Sequence, residues 1–134
     1  MTDRPVRSFR DLIAWQKAMS LVTEIYRLTR NFPAEEMFGL VSQMRRAAVS
    51  IPSNIAEGHA RASSGEFRQF LGHARGSLAE LETQVQIARN LNYLTETQTN
   101  ALSESATEVG KVLNGLLAAL KNSSPRASLS TKKG

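Results

Sequence analysis

The sequence contains no cysteine, which excludes a disulfide framework, a thiolate metal site and a cysteine nucleophile. Histidine occurs only at His59 and His73, and neither follows a glutamate at the Glu-x-x-His spacing of a di-iron or di-manganese bundle. There is no glycine-rich phosphate loop, and no apolar run approaches the roughly 18 residues that can span a membrane. The start, MTDRPVRSFRDL, carries charges where a secretory leader requires an apolar stretch, which predicts a cytoplasmic location. Aromatic residues are sparse, and Trp15, Tyr26 and Tyr93 lie apart from the arginine-rich segment, so no platform for stacking bases is indicated. A Ser/His/Asp set would have to be assembled without any local signature. These absences predict a protein that is not an enzyme and that uses no cofactor, no metal and no small-molecule substrate.

What the chain does have is helical periodicity along most of its 134 residues, a length that suits one domain. In a first helix, predicted from Leu12 to the Phe32-Pro33 step, one line of large residues runs Leu12, Trp15, Met19, Val22 and Tyr26. A second line runs Ala18, Leu21, Ile25, Leu28 and Phe32, and two lines make an apolar face wide enough to need cover from more than one side. Ser8 with Asp11 can cap its start. The second helix is predicted from Pro33, with Glu35 and Glu36 favourable to its dipole and an inward line of Met37, Val41, Met44, Ala48, Ile51 and Ile55. Ser63 with Glu66, and Thr95 with Gln98, have capping-box spacing and open two more helices. Their inward lines are Phe67, Leu71, Ala74, Leu78, Leu81, Val85 and Ala88, then Leu102, Ala106, Val109, Leu113, Leu116 and Leu120. The expectation is an all-α antiparallel up-down four-helix bundle over residues 11–121, between a basic N-terminal arm (1–10) and a flexible basic tail (122–134).

Residues 50–58, SIPSNIAEG, place a proline inside the second helix. Ile51 and Ile55 keep the helical register on both sides of Pro52, so the helix is predicted to continue with a kink there. Ser50, Ser53 and Asn54 can satisfy the freed backbone, and Gly58 suits the end of the helix. That account leaves Asn54 and Glu57 over, as candidates for a subunit contact or a ligand. Gly72 and Gly76 lie inside the third helix, where each costs about 1 kcal/mol against alanine, and so predict close approach of another helix from this chain or from another subunit.

The net charge of +5 is unevenly placed. The arm holds three bases against one acid and the tail three bases with no acid, which leaves residues 11–121 with 11 of each. Within the bundle, residues 40–75 carry five bases against two acids, and residues 76–121 three against five. Arg61, Arg68 and Arg75 recur every seven residues, and Arg89 resumes after Glu82, a spacing that predicts a cationic ridge along the third helix joined by Arg45 and Arg46. Such a ridge can bind phosphates of a nucleic acid, or it can pair with glutamates such as Glu80 and Glu82 of a neighbouring subunit.

Three stretches together, FRDLIAWQKAMSLVTEIYRLT (9–29), NFPAEEMFGLVSQMRRAAVSIPSNIAEG (31–58) and FRQFLGHARGSLAELETQ (67–84), resemble the S23-like family named for open reading frames in the intervening sequences of bacterial 23S ribosomal RNA. The resemblance spans about residues 9–121, and SIPSNIAEG and ARGSLAELETQ are its distinctive parts. It implies an antiparallel four-helix bundle that assembles as a homopentamer. Related bundles are accessory proteins of diversity-generating retroelements, in which a basic pentameric barrel works with a reverse transcriptase and its RNA. The leading expectation is a homo-oligomer whose arginine ridge and basic tails contact structured RNA. Its rival is an adaptor whose arginines bridge subunits and which acts through protein partners.

Overall fold

The path of the chain is set at its start by a reciprocal cap. Ser8 accepts from the Arg10 amide at 3.1 Å, while Asp11 accepts from the amides of Arg7 at 2.9 Å and Ser8 at 3.4 Å. The cap closes a 3-10 turn at Phe9–Asp11, and Leu12, still extended, precedes helix α1 (Ile13–Thr29). The computed structural model describes residues 6–122; the outer half of the predicted arm, 1–5, and the tail from 123 onward lie outside the described residues. Of the second apolar line on α1, Ala18, Leu21, Ile25 and Phe32 are buried and Leu28 is half-buried; Ala14 and Thr29 are buried beside them. Trp15 and Val22, on the other line, are half-buried, and Met19 and Tyr26 are exposed.

Helix α2 runs Leu40–His59 and begins seven residues later than Pro33. The sequence Ala34–Glu36 makes a separate 3-10 turn, and Gly39 then adopts a non-helical conformation with its carbonyl accepting from Gln43. Met37, expected on the inward line, is therefore off the helix and 48% exposed; the rest of that line, from Val41 to Ile55, is buried. The helix is unbroken through Pro52, which is itself buried. Gly58 does not end it: the helix continues to His59, and the capping residue Ala60 is right-handed. The role of Gly58 is instead steric, since a Cβ there would lie 2.6 Å from Phe70 Cβ and 3.0 Å from Phe67 Cδ1.

Helix α3 (Ser64–Asn90) starts on the Ser63 hydroxyl, which accepts from the Glu66 amide at 3.1 Å. Its seven predicted inward residues are all buried. It ends in a Schellman motif: Asn92 takes φ 65°, its amide bonds the Arg89 carbonyl, and the Tyr93 amide bonds the Ala88 carbonyl at 2.9 Å. Thr95 and Gln98 then bond reciprocally, at 2.9 and 3.1 Å, to open α4 (Glu96–Asn122). On α4, Leu102, Ala106, Val109, Leu113 and Leu120 are buried and Leu116 is half-buried. Each helix packs antiparallel on the next and α4 closes on α1, which makes a four-helix bundle with one continuous core.

Close approach within the chain falls not at Gly72 or Gly76, where it was expected, but at Gly58, which was expected to end the helix. A Cβ at Gly72 or Gly76 would meet nothing within 4 Å. This contrast sets the outcome of alanine substitution. Gly58→Ala is expected to destabilise the bundle by about 1–3 kcal/mol, because the clash is with a β-carbon that moves only with its helix. Gly76→Ala is expected to stabilise it by about 0.5–1 kcal/mol through helix propensity alone. Urea unfolding of both variants followed by circular dichroism checks the opposite signs.

Candidate interaction surfaces

The signature stretch is held inside the chain. The Asn54 amide donates to the Ser50 carbonyl at 2.8 Å and to the Ser50 hydroxyl at 2.9 Å, and that hydroxyl lies 2.8 Å from the Ser77 hydroxyl on α3. Glu57 accepts from Arg61 at 2.8 Å. Asn54 thus faces a backbone carbonyl and Glu57 a neighbouring arginine. The polar part of SIPSNIAEG ties α2 to α3, while Gly58 sets how near the two helices lie.

The arginines fall into separate environments. Arg61 precedes α3, in the connection from α2, so the heptad spacing does not continue along the helix through it. Its guanidinium lies 4.8 Å from the Phe70 ring centroid while bonded to Glu57. Arg45 is half-buried: its Nε donates to Thr29 Oγ1 at 3.0 Å and its guanidinium stacks 4.5 Å over Tyr26, which fastens α2 to α1. Arg89 donates to Asn92 Oδ1 at 3.4 Å beside the α3–α4 turn. Arg68 and Arg75 share one exposed face of α3, about 10 Å apart at 1.5 Å per residue. Arg75 makes one bond, to Asn114 Oδ1 on α4 at 3.1 Å, and keeps its other donors free; Arg68, like Arg46, has no partner among the described residues.

The apolar excess lies elsewhere, on the outer side of the α1–α2 pair. Among the described residues, five of the nine exposed large apolar side chains, Met19, Tyr26, Met37, Phe38 and Val49, border two neighbouring hollows there. One hollow, about 570 Å³, lies between Tyr26, Phe38, Val41, Arg45 and Val49. The other, about 250 Å³, is walled by Trp15, Met19 and Val22 of α1 and by Val49, Pro52 and Ala56 of α2. Phe9 packs edge-on against Trp15, 5.3 Å between centroids, at the far end of this strip. The larger-residue line of α1 is thus only partly covered within the chain: Leu12, Trp15 and Val22 pack against the core, while Met19 and Tyr26 stay exposed. Phe38, which belongs to none of the predicted inward lines, is 97% exposed. The available signal was Gly39, which interrupts the helical period immediately after it.

The connection that carries Phe38 is anchored through Glu36. One of its carboxylate oxygens accepts from the Leu40 amide at 3.1 Å and so caps α2; the other accepts from the Tyr93 hydroxyl at 2.9 Å. Tyr93 in turn packs on Phe32, with centroids 5.2 Å apart. Hydrogen bonding to Glu36, helped by partial burial and by the charges of Glu36 and Glu35, raises the Tyr93 hydroxyl above its usual 10.0.

Neither histidine is placed for proton transfer with a carboxylate. His59 packs edge-on against Phe67 and His73 against Phe70. Among the described residues no group of three or more histidines and carboxylates gathers, and no helix is long and apolar enough to cross a membrane.

The family model of the 23S rRNA-intervening sequence protein matches residues 10–115. Among solved structures, the chain is similar to a protein of unknown function from the S23 ribosomal protein family of Bacteroides thetaiotaomicron VPI-5482. The two share 23% identity with a TM-score of 0.74, over 79% of this chain and 96% of that one, a likeness that establishes the fold. No curated protein matches the chain.

The Tyr93–Glu36 anchor makes the bundle sensitive to alkali. A hydroxyl whose value is raised in the folded state contributes stability that is complete below about pH 10 and is lost as pH rises through the folded value. Absorbance titration of tyrosinate is expected to show a tyrosine that ionises above the usual 10.0, and Tyr93→Phe is expected to remove that step.

Proposed function

The chain belongs to the 23S rRNA-intervening sequence protein family, and from that premise we propose that it is a non-catalytic bundle that self-associates and presents exposed arginines to structured RNA. The observation that carries self-association is the open apolar strip between α1 and α2. A strip of that kind, rimmed by polar residues, is the mark of a surface that other protein covers. Contact with phosphates falls to Arg68 and Arg75, which lie on α3 with free donors and away from the strip, assisted by the basic residues of the arm and the tail. The site of action is the cytoplasm.

A second reading is favoured by the fate of the other arginines. Arg45, Arg61 and Arg89 are engaged inside the chain, which reduces the cationic surface and suits an adaptor that acts through protein partners.

Light scattering across a salt series, with and without structured RNA, separates the two. The first reading expects a stable oligomer that takes up RNA at low salt and releases it as salt rises. It further expects Arg68→Glu with Arg75→Glu to leave the oligomer mass unchanged and to lower RNA affinity at least tenfold. An oligomer that ignores RNA at every salt concentration selects the adaptor.

A further inference from the structure

Phe38 is a large apolar side chain with almost no contact in its own chain, held on an anchored connection. Toward the other end of the same pair of helices is a groove with apolar walls. The two belong to one surface but are separated along it by the Tyr26–Arg45 stack, so the knob of a chain does not fill the groove of that chain.

We infer that Phe38 of one copy seats in the groove formed by Trp15, Met19, Val22, Val49 and Pro52 of a second copy. The inference rests on the self-association proposed above and names its contact.

Two observations favour a second copy as occupant. The residues outside 6–122 are too polar to cover the groove themselves: MTDRP and the tail from 123 on contain Met1 and Leu129 as their only large apolar residues. Charge also matches. Glu35 is exposed three residues before the knob, and Arg46, exposed on the wall of the hollow that also holds Phe38, lies one turn before Val49, which the two hollows share; neither has an ion-pair partner among the described residues. Seating the knob brings an acid toward a base, and burying an aromatic ring in a desolvated pocket supplies the anchor around which such contacts organise.

The absence of native cysteine allows a direct test in the full chain. Phe38→Cys is mixed with Ser53→Cys, and separately with Val49→Cys, then oxidised and run on a non-reducing gel; oligomer mass is followed in parallel by light scattering. A disulfide-linked dimer is expected in at least one mixture and not in any single variant alone. Phe38→Ala is expected to reduce the association constant at least tenfold with an unchanged circular dichroism spectrum. A stable oligomer that gives no cross-link in either mixture and tolerates Phe38→Ala overturns the knob-in-groove contact while leaving self-association standing. A chain that stays monomeric at all concentrations overturns both.

Discussion

The approach of α2 to α3 at Gly58 is the constraint on which the rest of the arrangement depends. A helix pair can come this near only where one member lacks a side chain, and the 2.6 Å that would separate a Cβ from Phe70 Cβ shows how little room is left. Once α2 is pressed on α3, the Ser50 hydroxyl is within bonding distance of Ser77, and the Asn54 amide completes the polar link by turning back to Ser50. Arg61, just past the crossing, finds Phe70 below it and Glu57 one turn behind. A single missing methyl group thus sets the spacing at which the Ser50–Ser77 link between α2 and α3 forms.

The same constraint decides which side of α2 is left open. The α2–α3 side is sealed by small residues and hydrogen bonds, whereas the side toward α1 carries Val49, Pro52 and Ala56, which have no polar groups to satisfy and no third helix above them. On α1, the alanines at 14 and 18 let that helix sit close on the core, which rotates Trp15, Met19, Val22 and Tyr26 outward to the same side. The open strip is therefore the complement of a tightly made core, not a defect in it. The paired charges within the chain follow a similar division: Arg45 closes the strip in the middle, while Arg68 and Arg75 remain on the opposite flank of the bundle, beside α4.

Much of this was legible in the sequence where periodicity was the only signal in play. The inward lines of α3 and α4 appear where the spacing puts them, as do the reciprocal Thr95–Gln98 box and the Ser63 half of the Ser63–Glu66 box, since a 3.6-residue period and a cap are local properties. What failed were extrapolations across a break. The line through Met37 crossed Gly39, and the seven-residue arginine spacing crossed the α2–α3 connection, so Met37 and Arg61 lie off the helices to which their spacing assigned them. Glycine was ambiguous for a different reason: a stop, a close approach and an open surface all admit it. Gly58 is the close approach and Gly72 and Gly76 face open space within the chain, a distinction that depends on what lies opposite and not on the neighbours in sequence. On α1 the two apolar lines were both visible, but nothing local ranks a line of alanines above one of large residues.

The connection at 34–39 shows why an exposed aromatic can matter more than its lack of contacts suggests. A side chain on a mobile loop loses conformational freedom when it docks, and that loss reduces affinity. Here the loop is short, opens with a 3-10 turn, and is held from both directions by Glu36, which caps α2 and accepts the Tyr93 hydroxyl. Tyr93 is itself positioned by the left-handed residue Asn92 at the end of α3 and by packing on Phe32. The presentation of Phe38 is therefore set by the α3–α4 turn, more than fifty residues away in sequence, and much of its ordering cost is met during folding instead of binding. An apolar knob preorganised in this way, next to a strip that its own chain leaves open, is the physical basis for the proposal that a second copy seats on the α1–α2 side.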